Sequence, residues 1–89
     1  MMNDIRNDLQ HQISVAAYFL SERNLTYDKL CWMLAKRQLL AQGDMRYKEE
    51  QRVKEKAAEI YFSGPNYEVL CWLIAELDIT MKLGKRVEK

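Results

Sequence analysis

The chain has 89 residues, of which 14 are basic and 13 acidic, giving a formal net charge of +1; that length holds one hydrophobic core. Apolar side chains make up 48% and charged ones 30%, which excludes a disordered polar chain, and no stretch approaches the roughly 20 apolar residues that a membrane span needs. Residues 1–43 carry five basic and four acidic groups and residues 44–89 nine of each, so neither half has the segregated positive excess of a dedicated nucleic-acid binder.

The opening Met1-Met2-Asn3-Asp4 has neither the basic nor the apolar region of a signal peptide and no glycine for myristoylation. The expected compartment is the cytoplasm, where two cysteines act as small buried hydrophobes. With three glycines and one proline, the chain has few places to turn, which favours a few long helices.

The first helix is expected from a cap at Asn3 or Asp4. Its stripe is Ile5, Leu9, Ile13, Ala16, Ala17 and Leu20, spaced by threes and fours as one helical face requires. Ser21 to Asn24 ends it. Thr26 caps a second helix running to about Gln42, and Gly43 supplies the left-handed C′ residue. Asp44 is the expected cap of a third helix over roughly 45–62, with a thin stripe of Val53, Ala57, Ile60 and Tyr61 and a wide charged face. Ser63-Gly64-Pro65 stops it. Asn66 caps a fourth helix expected to end near Gly84, leaving residues 85–89 as a frayed tail.

An internal repeat is the most informative feature. Thr26–Ala35 aligns without a gap on Asn66–Ala75, forty positions on, with Tyr, Leu, Cys, Trp and Ala identical. Both cysteines and both tryptophans of the chain lie in these blocks. At the same offset Ile13 meets Val53, Ala17 meets Ala57, Leu20 meets Ile60 and Ile5 meets Met45. The 34-residue tetratricopeptide pattern is not matched, and two units are fewer than a solenoid needs. The expected architecture is all-α: a single domain over 1–89, a four-helix bundle of two tandem αα-hairpins, about 3–42 and 44–84, related by a pseudo-twofold axis.

On a helical wheel, Tyr27, Leu30, Cys31, Leu34 and Ala41 share one face of the second helix, while Trp32, Ala35 and Leu39 form an apolar flank. In the fourth helix Trp72, Ala75, Ile79 and Leu83 form the matching flank. Helices apolar nearly all round are either central or part of an interface. The residues expected at a partner or dimer interface are therefore Trp32, Leu39, Trp72 and Ile79, aromatic side chains being common anchors.

Gln38 and Asp78 are repeat-equivalent and fall in the apolar stripe, which marks them as a candidate buried polar pair or the notch of a small-ligand pocket among the tyrosines. Arg46, Lys48, Arg52 and Lys56 are the candidate phosphate contacts if the chain binds nucleic acid, although Glu49, Glu55 and Glu59 flank them. His11 is the sole histidine, so a zinc site of about four ligands is not expected. No phosphate loop and no nucleophile–base set is present, and neither enzyme activity nor a cofactor is expected. The leading expectation is a non-enzymatic helical interaction module, a small regulator, adaptor or inhibitor that binds a partner protein and pairs with itself. A small nucleic-acid-binding regulator is the alternative.

Overall fold

A computed structural model describes the backbone of residues 2–88 and the side chains of residues 8–82. The described backbone forms four α-helices, α1 (Met2–Ser21), α2 (Tyr27–Ala41), α3 (Glu50–Ser63) and α4 (Tyr67–Glu88), with a 3₁₀ turn at Met45–Lys48 and no strand. The side chains of Asn3, Asp4, Ile5 and Leu83 lie outside the described residues, as do those of the tail.

Local chemistry explains the boundaries. The Thr26 hydroxyl accepts from the Lys29 amide at 3.1 Å and the Asn66 side-chain oxygen from the Val69 amide at 3.0 Å, so each inner helix starts on a side-chain cap. Gly64 closes α3 with φ of 74°, the left-handed conformation that costs glycine nothing. Asn24 takes φ of 55° in the turn after α1, a conformation asparagine tolerates better than most residues.

Two boundaries differ from expectation. Asp44 caps the 3₁₀ turn, accepting from the Arg46 amide at 2.9 Å, and α3 starts only at Glu50. Glu49, in extended conformation, separates the two segments. Gly84 does not end α4, which continues to Glu88; one interior glycine costs only about 1 kcal/mol.

The helices also pair differently from two self-contained hairpins. α1 packs on α4, α3 packs on α2, and α2 packs on α4. Among the described residues the backbone of α1 does not pack closely on that of α2, nor that of α3 on α4. The reason lies in the apolar surfaces. α2 and α4 are apolar on more than one face and become the central pair, and each outer helix, with its single stripe, covers the inner helix of the other half.

The core follows from that arrangement. Leu30, Cys31, Leu34, Ala35 and Leu39 of α2 and Leu70, Cys71 and Ile74 of α4 are buried together, closed over by Leu20 of α1 and by Val53 and Ile60 of α3. At the start of the seam the Tyr27 hydroxyl donates to the Pro65 carbonyl, and the Tyr67 hydroxyl donates to the Leu25 carbonyl at 2.6 Å. Donors and acceptors are both forty positions apart. Each inner helix thus holds the loop that leads into the other. Burial pushes the Tyr27 phenol above its ordinary value, helped by Cys31 and Tyr61, which keeps the donor proton in place.

Phenylalanine at either tyrosine keeps the ring and removes the donor. We expect Tyr67→Phe to lower unfolding free energy by about 1 kcal/mol and Tyr27→Phe to act in the same direction. Urea denaturation of both single variants and the double variant measures their coupling, which a shared loop junction makes non-additive.

Candidate interaction surface

The four residues expected at an interface take different positions. Leu39 has no exposed surface: it belongs to the core, because α3 and the 3₁₀ turn lie over that part of α2. The expectation of Leu39 at a partner surface is therefore corrected. Trp32 is half-buried, packs against the core and lines an open groove of about 530 Å³. Trp72 and Ile79 are half-buried on α4. Of the four, only Leu39 is fully buried, and the rest of the tryptophan flank is partly open.

Gln38 and Asp78 do not meet. Asp78 is exposed and accepts from the Arg37 guanidinium at 2.7 Å, tying α4 to α2. Gln38 lines a separate groove of about 380 Å³ with Lys56, Leu73 and Leu77. The pair expected to be buried together is split between two sides of the α2–α4 seam. Each lies one turn after buried residues, Gln38 after Leu34 and Ala35 and Asp78 after Ile74 and Ala75, yet neither is itself buried. Of the tyrosines, Tyr47 shares the Trp32 groove with Asp78, whereas the Tyr67 hydroxyl is engaged about 16 Å back along α4.

The basic stripe is largely neutralised within the chain. Arg46 pairs with Asp44 at 3.0 Å, Arg52 reaches Asp44 at 3.4 Å and Glu55 at 3.6 Å, and Lys56 lies 3.6 Å from Glu59. Lys48 sits over the Tyr47 ring at 5.7 Å. Three of the four candidate phosphate contacts therefore face a carboxylate first. Hydrogen bonds from the Arg46 side chain and amide, with a further one from Arg52, hold the Asp44 carboxyl well below the usual carboxylate range. This carboxylate at once caps the 3₁₀ turn and anchors it to α3.

Both thiols are about 1% exposed and free. Burial pushes each up, with Asp28 adding to the effect at Cys31 and Glu68 at Cys71, so both lack the thiolate character of a reactive cysteine. Among the described residues no three His, Cys, Asp or Glu side chains converge as metal ligands, and no helix is long and apolar enough to cross a membrane.

The apolar surface that is exposed lies where the wheel did not put it. Tyr18 and Phe19 pack edge to face on α1, and Tyr61 and Phe62 do the same on α3. Tyr61 also meets Tyr27 edge to face, with centroids 5.4 Å apart. Phe62 is 84% exposed, Phe19 63% and Tyr18 59%. All four rings sit in the last turns of the outer helices, just before the loops that Tyr27 and Tyr67 hold together. They consequently share one end of the molecule. The sequence signal for them is present in Ala16–Leu20 and Ile60–Phe62: five and three consecutive apolar residues cannot all face one neighbour.

Comparison with known proteins returns no matching family model, no matching curated protein and no matching solved structure.

Two measurements check these placements. Leu39→Ala removes a fully buried side chain, and we expect a loss of about 2–5 kcal/mol in urea unfolding, a size that a surface leucine would not give. Folding lowers the Asp44 pKa, so its stabilisation is present above the ordinary carboxylate value of about 3.9 and is lost as pH falls below it. The denaturation midpoint of the wild-type chain should fall between about pH 4 and pH 2 more steeply than that of Asp44→Asn.

Proposed function

We propose that this chain is a non-enzymatic helical interaction module, a small regulator, adaptor or inhibitor that acts by binding a partner protein and pairs with a second copy of itself. The observation that carries this reading is the aromatic end: Phe62, Phe19, Tyr18 and Tyr61 are all exposed in the last turns of two adjacent-ended helices. Aromatic side chains anchor protein interfaces because they bury large area at small entropic cost, and two exposed aromatic pairs on a small domain favour contact with another surface. A nucleic-acid role through Arg46, Lys48, Arg52 and Lys56 has less support, since neighbouring carboxylates occupy three of the four.

We infer further that the two halves are copies of one helix pair related by a pseudo-twofold axis. Support comes from features that recur forty positions apart: the reciprocal tyrosine bonds, the Thr26 and Asn66 caps, the positive φ of Asn24 and Gly64, and buried Ile13/Val53 and Leu20/Ile60. The aromatic end breaks this symmetry, because Ser21 and Glu22 stand at the positions equivalent to Tyr61 and Phe62. A feature kept in one copy alone serves something other than the shared core. The cytoplasm is the compartment this reading assigns, since two free, buried thiols suit a reducing interior.

Light scattering after size exclusion tests the pairing. At about 100 µM protein we expect twice the monomer mass, falling on dilution by mass action. Phe62→Asp should give the monomer mass at the same concentration with an unchanged helical circular-dichroism spectrum. A wild-type chain that stays monomeric at about 1 mM, weaker than any useful self-association, overturns self-pairing.

A further inference from the structure

We propose that the groove along the outer face of α2 is a docking site for an acidic amphipathic helix of a partner protein. The groove is open, about 530 Å³, and its floor is apolar, formed by Trp32, Met33 and Leu40 of α2 with Met81 of α4. Tyr47 of the 3₁₀ turn closes one side. From Lys29 to Leu40 it follows α2 for about 16 Å, three turns of helix, which is the length over which a bound helix presents anchors at i, i+3/i+4 and i+7. Two methionines and an indole give a surface that adapts to apolar side chains of varied shape.

Charge decides what such a helix carries. Four cations line this groove, Arg23, Lys29, Lys36 and Arg37, against one carboxylate, Asp78. Asp78 is already taken by Arg37 at 2.7 Å. Arg23, Lys29 and Lys36 are exposed and enter no ion pair among the described residues. The chain as a whole carries only +1, so this local excess is set against a nearly neutral background, whereas on α3 Arg52 and Lys56 each face a carboxylate. Lys29 and Lys36 lie seven residues apart on α2, which puts them on one side of the helix, two turns from each other. Carboxylates flanking an apolar stripe on the incoming helix meet both.

A single-stranded nucleic acid fits the groove less well. It needs open ring faces for bases to stack on, whereas Trp32 and Tyr47 are half-buried and packed on the core, and the remaining floor is aliphatic or thioether. This surface is distinct from Tyr61 and Phe62, so the docking proposal does not rest on self-pairing; the Phe62→Asp variant retains the groove and separates the two.

The test is titration of ¹⁵N-labelled full-length protein with a synthetic helical peptide of about 14 residues, leucine on one stripe and glutamate elsewhere. Two further probes are the same peptide with lysine for glutamate and an oligothymidylate of similar length. We expect the glutamate peptide to shift the Trp32 indole and the amides of Lys29, Lys36 and Leu40, in both the wild-type and the Phe62→Asp chain. Raising salt from about 0.05 to about 0.5 M should weaken it on the order of tenfold. The Lys29→Glu/Lys36→Glu double variant changes only exposed side chains, so its fold should survive, as circular dichroism will check. It should lose at least about tenfold in affinity for the glutamate peptide and gain binding of the lysine peptide. Absence of shifts at the groove with the glutamate peptide, equal binding of the two peptides, or tighter binding of the oligothymidylate overturns the proposal.

Discussion

The seam between α2 and α4 is the contact on which the other elements depend. Leu30, Leu34, Leu70 and Ile74 meet across it with at most 1% of their surface exposed, and Cys31 and Cys71 fill the same layer. α1 rests on α4 rather than on α2, and α3 rests on α2 rather than on α4, so each outer helix covers the inner helix of the other half. A half of the chain in isolation would hold two helices whose backbones do not pack closely on each other, and much of its apolar stripes would stay in water. Both halves must therefore come together before either is stable, which makes cooperative folding a consequence of the pairing pattern. The two tyrosine hydroxyls make the same statement in polar terms, since each satisfies a carbonyl that belongs to the other half's loop.

Much of this was legible in the sequence because it rests on local chemistry. Thr26 and Asn66 announce two helix starts, Gly64-Pro65 one stop, and the spacing of Ile13, Leu20, Leu30, Leu34, Leu70 and Ile74 picks out buried faces. The pairing of helices was not legible, for a physical reason. The forty-residue correspondence in the sequence aligns α1 with α3 and α2 with α4, and such an alignment is satisfied alike by α1 on α2 and by α1 on α4. The error at Leu39 has the same source. On a wheel it shares a flank with Trp32, and only the position of α3 and the 3₁₀ turn decides that the flank is covered. Asp44 misled in a subtler way. It does act as a cap, yet of a tight turn in which two arginines hold its carboxylate, and the α-helix begins six residues later at Glu50.

The candidate site was legible as a need for apolar contact and not as a place. The surplus of apolar residues is real, but the crosswise pairing redistributes it. Inner helices are each covered by two neighbours, so their flanks are largely hidden. Outer helices have one principal neighbour, so any apolar side chain off their single stripe stays in water. Tyr18, Phe19 and Phe62 are of this kind. The polar side shows the same logic. Arg46, Arg52 and Lys56 lie on segments dense in glutamate and aspartate and find partners there, whereas Lys29 and Lys36 lie on an inner helix with few acids within reach.

The outcome is a small chain with two surfaces of different chemistry, one an aromatic end, the other an apolar trough with a cationic rim. Their settings differ as well. The trough lies beside the Arg37–Asp78 ion pair that bridges α2 and α4, with Met33 and Met81 in its lining. The aromatic end exists because rings were placed on the outer helices at positions that cannot reach the core. A fold that needed only its own stability would carry charged residues in those turns, as it does at Glu22, the position equivalent to Phe62. Exposed rings lower solubility and add nothing to the packed core, so the architecture that displays them does not require them.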